Sequence, residues 1–212
     1  MQTYEVIYKK LLHYYGPQGW WPAESIFEIM VGAILVQRTN WNNVVKAIQN
    51  LSPVLTPEKL ASMPTEKVAI AIRSSGFYNQ KAKRLKAFLH WYKNYDYHHE
   101  KLQYKETEHL RAELLGIYGI GEETANVMLL YAFNRPVFVA DAYARRIFKR
   151  FGLDMPTSDQ SFRLEVESNF PTNLQAYQEF HALIVEHAKV YCKVKPLCRN
   201  CPLFNNCKRV GV

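Results

Sequence analysis

Four cysteines, Cys192, Cys198, Cys201 and Cys207, form a C-x5-C-x2-C-x5-C run, and the rest of the 212 residues contain none. Such clustering points to one shared ligand. The N-terminal stretch Met1-Gln2-Thr3-Tyr4-Glu5-Val6-Ile7 lacks the basic, apolar and small-residue sections of a signal peptide. A cytosolic protein is therefore expected, with its thiols kept reduced rather than paired as disulfides. Zinc usually takes two C-x2-C knuckles separated by a longer insert, and only one such pair is present. A compact loop of four thiolates suits a [4Fe–4S] cluster, in which each iron needs one sulfur ligand. Zinc stays as the alternative.

A second constellation is Gly116-Ile117-Tyr118-Gly119-Ile120-Gly121 followed by Glu122-Glu123-Thr124-Ala125. Three glycines in six residues would let the chain turn with positive φ and bring its N–H groups close to a ligand. A helix starting directly after them would aim its N-terminal dipole at the same place, which favours a phosphate. A G-x-G between helices is also an ordinary tight turn.

These residues have to be carried by helices. Phe27, Met30, Val31, Ile34 and Leu35 recur at helical spacing after Ser25, as do Val44, Val45, Ile48 and Leu51 after Asn40, a candidate N-cap. Gln80 to Tyr92 places Ala82, Leu85, Phe88 and Leu89 on one face, with Lys81, Lys83, Arg84 and Lys86 among them. Further helices fit about 106–115, 122–133, 141–151, 158–168 and 173–190. Strand alternation and Asn-Gly hairpin turns are missing, although Val137-Phe138-Val139 is a short apolar run. The fold class is all-α. With 48% hydrophobic residues, 9 glycines and 10 prolines, a disordered or collagen-like chain is excluded. No apolar run is long enough to span a membrane.

Charge adds a direction. The formal net charge is +8, yet the stretch from Lys189 onward holds Lys189, Lys193, Lys195, Arg199, Lys208 and Arg209 with no acid. The remainder is close to balanced. A basic tail is the footprint of a polyanion partner, nucleic acid above all, or else a solvated end.

Taken in order, these motifs resemble the endonuclease III superfamily of DNA glycosylases. Ile117-Tyr118-Gly119-Ile120-Gly121 with Thr124-Ala125 looks like its helix–hairpin–helix, and Pro136 with Asp141 matches the Pro-x4-Asp that follows. Gln37-Arg38-Thr39, Ser75-Gly76-Phe77-Tyr78-Asn79-Gln80-Lys81-Ala82 and the cysteine loop resemble further family segments, so the likeness runs from about residue 20 to 207. It implies a six-helix barrel module over 22–137. Residues 1–21 and 138–212 would form a discontinuous second module holding a [4Fe–4S] cluster on Cys192, Cys198, Cys201 and Cys207. Duplex DNA bearing a damaged base would lie across the cleft between modules, bound by a monomer. Gln37, Phe77, Gly119, Gly121 and Thr124 would contact it.

The same resemblance assigns the chemistry. Base removal builds positive charge on the deoxyribose, and a fixed carboxylate at Asp141 would stabilise that charge and orient or deprotonate water. On its own Asp141 reads first as the N-cap of the helix containing Tyr143, Arg146 and Ile147, and it could serve both roles. Members that also cleave the strand carry a lysine one residue before Thr-Ala, where this chain has Glu123; a carboxylate cannot form the imine. Two smaller departures are Tyr118 in place of the hairpin proline and a first cysteine interval one residue short. Trp20, Trp21 and Pro22, with Trp41, look like the base pocket of the bacterial 3-methyladenine glycosylase branch, where aromatic faces hold a flipped, cationic purine. Such tryptophans also pack ordinary cores. Three functions follow from these readings: a monofunctional glycosylase for alkylated purines, a glycosylase for oxidised or mismatched pyrimidines, and a non-catalytic damaged-DNA-binding module.

Overall fold

The computed structural model describes residues 3–171 and 173–212. Eleven α-helices connected by short 3₁₀ and irregular turns account for the regular structure among them, and no strand occurs. The all-α expectation is met. Local chemistry starts most of the helices. The side chains of Ser25, Asn40, Thr56, Asp141, Ser158 and Asn173 each accept a hydrogen bond from a backbone N–H three residues on. Each satisfies one of the donors that a helix start leaves open. No helix among the described residues is long and apolar enough to cross a membrane.

The chain divides into two compact units. One runs Ala23–Phe133 and contains α2 (Ile26–Leu35), α3 (Trp41–Leu51), α4 (Pro57–Ser62), α5 (Thr65–Ala71), α6 (Tyr78–Lys93), α7 (Thr107–Leu115) and α8 (Glu122–Val127). Helix α2 is its centre: Met30, Val31, Ile34 and Leu35 are fully buried, and α3, α6, α8 and the segment after it pack around them. A helix apolar on all sides can only sit inside. The segment expected as one helix over 122–133 divides. After Val127 the backbone widens into a π-type turn, Met128–Ala132, all of it buried against α2.

Two of the basic residues of α6, Lys81 and Lys86, behave differently from a solvated face, while Lys83 is exposed. Lys81 is fully buried and its Nζ donates to Leu35 O at 2.8 Å and Ser75 O at 2.6 Å. Burial pushes its pKa down to about 8. Lys86 Nζ donates to Leu60 O and Ala61 O at 2.9 and 2.7 Å, and to Met63 O, closing the C-terminal end of α4. Both lysines are braces.

The other unit joins the chain up to Pro22 to everything from Asn134 onward. It contains α1 (Thr3–Tyr15), α9 (Ala142–Phe151), α10 (Asp159–Asn169) and α11 (Leu174–Val190). Phe138, Phe148, Phe162, Phe170, Tyr177 and Phe180 form an aromatic core, with Phe170 and Phe180 centroids 4.9 Å apart. The apolar run Val137-Phe138-Val139 is buried there as extended chain without a strand partner; Phe138 N–H donates instead to Glu167 Oε1 at 2.8 Å. Helix α9 stops at Gly152, whose φ of +106° is a left-handed cap only glycine adopts at little cost.

Candidate functional site

The hairpin between α7 and α8 is built from two buried isoleucines. Ile117 and Ile120 point into the barrel unit, and Ile120 N–H donates to Ile117 O at 3.0 Å, closing the turn. Of the three glycines expected to need positive φ, only Gly119 has it, at +79°; Gly116 and Gly121 are at −71° and −101°. A Cβ on Gly119 would meet the Arg84 side chain at 2.3 Å, whereas one on Gly121 would meet nothing within 4 Å. Gly121 therefore caps α8 with bare backbone, leaving its first amides without a side-chain cap. The two substitutions separate accordingly. Gly119→Val is expected to cost roughly 1–3 kcal/mol of stability through backbone strain and crowding. Gly121→Val is expected to melt like the parent and bind every duplex more weakly. Thermal denaturation beside a binding titration checks both.

Gln37 serves the hairpin from the end of α2. Its Nε2 donates to Gly119 O at 3.0 Å and Thr124 Oγ1 at 2.9 Å, and its Oε1 accepts from Arg84 Nη1. Three elements are thereby locked in register. Thr124 is buried, Tyr118 is exposed with its hydroxyl donating to Gln80 Oε1 at 3.2 Å, and Glu122 pairs with Arg111. Glu123 lies on the exposed side of α8's first turn, where its charge suits the helix dipole. Phe77 is 62% exposed and left-handed at φ +47°, an uncommon conformation for a bulky residue, directly before α6. Trp41 opens α3 beside its Asn40 cap, half-buried.

The second group of predicted residues lies in the other unit, and α11 organises it. Asp141 is 6% exposed. Its Oδ1 accepts the Ala144 N–H at 2.6 Å, so it caps α9, and its Oδ2 lies 3.6 Å from Nε2 of the buried His181. The ring of His181 meets the Trp20 ring edge-on, centroids 5.8 Å apart at 89°. Two residues earlier on α11, the Glu179 carboxylate accepts the successive N–H groups of Gln18 and Gly19 at 2.7 and 2.9 Å. That clamp fixes the loop presenting Trp20, Trp21 and Pro22. Trp20 and Trp21 are perpendicular at 6.0 Å, and the ammonium of Lys189 stands 5.7 Å from the Trp20 ring.

The cysteines continue from the end of α11. All four line one small cavity with Ile147, Arg150, His187, Tyr191 and Leu203. Arg150 Nη1 donates to Cys192 Sγ at 3.5 Å, Cys207 Sγ donates to Arg150 O at 3.2 Å, and Cys201 Sγ lies 3.5 Å from His187 Nε2. Burial and the other three sulfurs push the Cys201 thiol up to about 11. Among the described residues no three His, Cys, Asp or Glu side chains converge as ligands of one metal ion. A tetrahedral zinc would draw its sulfurs to roughly 3.8 Å of each other, from Zn–S bonds of about 2.3 Å. The donor set, four thiols with Arg150 beside them, has the chemistry to hold either a zinc ion or an anionic iron–sulfur cluster.

His181, Glu179 and Arg150 had no motif to announce them. The one available signal was a histidine inside the apolar run His181-Ala182-Leu183-Ile184-Val185, where a polar ring has to find a buried partner.

Comparison with known proteins gives the family. Residues 31–172 match the family of HhH-GPD superfamily base excision DNA repair proteins. A protein of Methanocaldococcus jannaschii described as a candidate DNA repair glycosylase is 48% identical over 196 residues, covering 90% of this chain and 89% of its own. Endonuclease III of Thermotoga maritima is 30% identical over 79% of this chain and 75% of its own. Among solved structures, the 3-methyladenine DNA glycosylase of Helicobacter pylori bound to 1,N6-ethenoadenine superposes with a TM-score of 0.73 at 29% identity. It covers 89% of this chain and 98% of that one. The chain is therefore a base-excision DNA repair glycosylase of the helix–hairpin–helix superfamily.

Proposed function

We propose that this glycosylase hydrolyses the N-glycosidic bond of alkylated purines in duplex DNA and does not cleave the strand. The buried Asp141 carboxylate carries this reading. One of its oxygens is fixed by the start of α9 while the other faces His181, whose ring in turn meets Trp20. As the bond between base and C1′ breaks, the electron pair leaves on the base and positive charge grows on the sugar. Asp141 stabilises that charge, orients water toward C1′ and takes its proton. Alkylated purines are good leaving groups, so no amine nucleophile is needed, and Glu123 supplies none. The 29% identity to a 3-methyladenine glycosylase over most of both chains supports the substrate class.

The DNA side of the reading rests on the hairpin amides, Gln37 and Thr124 as its braces, and the exposed Phe77 as a wedge for the gap that a flipped base leaves. The likeness to an endonuclease III supports a second substrate class, oxidised or mismatched pyrimidines. A panel of duplexes, each with one lesion and each treated with alkali after incubation, separates the two. Fastest release from a dimethyl-sulfate-treated duplex supports the first reading; release only from a thymine-glycol duplex selects the second. No release from any lesion leaves a binding module.

The cysteine ring would hold a [4Fe–4S] cluster through Cys192, Cys198, Cys201 and Cys207, which would order the C-terminal loop by coupling metal binding to folding. Protein purified without oxygen is expected to be yellow-brown with about four irons per chain. Cys201→Ser is expected to lose iron and loosen the loop, seen as faster proteolysis there. Stoichiometric zinc without iron would contradict the assignment.

A further inference from the structure

The geometry points to His181 as the residue that positions the Asp141 carboxylate for attack on the sugar, an inference that rests on the role proposed for Asp141. Three observations converge on it. Asp141 Oδ1 is spent on the Ala144 N–H, so that contact alone leaves the carboxylate free to turn about the bonded oxygen. The second oxygen is met by His181 Nε2 at 3.6 Å, both residues being more than nine-tenths buried. The imidazole is in turn held edge-on by Trp20, whose loop is clamped to the same helix by Glu179.

A carboxylate taken out of water needs partners for its oxygens, and burying it between a helix start and an imidazole supplies one for each. At 3.6 Å the His181 contact is longer than a formed hydrogen bond. Contacts of this kind commonly tighten only once substrate is bound. Helix α11 thus sets the Trp20–Trp21 loop and the carboxylate plane from positions two residues apart, so that the lesion and the reacting group share one ruler. His181 does not touch the sugar and is not a catalytic residue; it acts through Asp141.

The test measures single-turnover base release from a dimethyl-sulfate-treated duplex and from a thymine-glycol duplex, and affinity for a duplex carrying a tetrahydrofuran abasic analogue. His181→Gln keeps an N–H donor near the position of Nε2, while His181→Asn keeps an amide too short to reach. His181→Asn is expected to slow release roughly 30-fold, within the 10²-fold that a misplacement of about 1 Å can cost. His181→Gln is expected to stay within about threefold of the parent, and both to bind the analogue as the parent does. In an Asp141→Asn background His181→Asn should cost nothing further, since the group it positions is gone. Equal losses for Gln and Asn, losses that track melting temperature or affinity, or an Asn variant at the parental rate would each overturn the inference. An Asp141→Asn protein that remains active would remove the underlying reading instead, and His181 with it.

Discussion

Asp141→Asn is expected to bind lesion-bearing duplex as tightly as the parent and to release the base roughly 10²–10³-fold more slowly, the loss typical of one preorganised electrostatic group. The amide can still accept the Ala144 N–H, so the cap on α9 survives and the protein should melt close to the parent. The charge that faces the developing sugar cation does not survive. The loss should be smallest for the most labile alkylated bases, because they need the least help to leave. Borohydride added during turnover should trap little covalent complex with the parent, since trapping needs an imine and Glu123 cannot form one. Efficient trapping would show that another lysine attacks the sugar. Lys81 is a poor candidate: it is fully buried and both its bonds run to backbone carbonyls.

The second large effect is on binding. If the bare amides at Gly121 and the exposed Lys193, Lys195, Arg199 and Lys208 together neutralise about five phosphates, the log–log salt slope is near −4.5. Affinity is then expected to fall several-hundred-fold between 50 and 200 mM salt, for undamaged and damaged duplex alike. The parallel fall is the point, because backbone contacts position the protein and read no base. Affinity that does not change with salt would contradict the account. A steep slope for damaged duplex alone would place the phosphate contacts beside the lesion pocket rather than at the hairpin.

Much of the fold was open to reading along the chain because its signals are local. Helical spacing in α2 and α6, the caps at Ser25, Asn40 and Asp141, and the tight turn at Gly119 each depend on residues within a few positions of one another. The π-type turn after Val127 was not legible, since an apolar run reads the same through a normal or a widened turn. The widening is decided by how Met128–Ala132 packs on α2. Among the glycines, spacing could not say which one needs positive φ or which one has a side chain already occupying its Cβ position.

The sequence by itself determined the all-α class, the superfamily, the absence of an amine at Glu123 and the gathering of four thiols in one segment. Those are properties of residue type and of short intervals, which survive without coordinates. Only the tertiary structure decided that Gln37 is a brace within the hairpin, that Lys81 is buried, and that Asp141 shares its second oxygen with His181. Gln37 and Gly119, or Asp141 and His181, are separated by dozens of residues, and nothing in their types names the partner. What brings them together is the burial of α2 and α11, whose apolar faces take these polar groups out of water and leave them to be satisfied by whatever polar neighbours the packing places beside them.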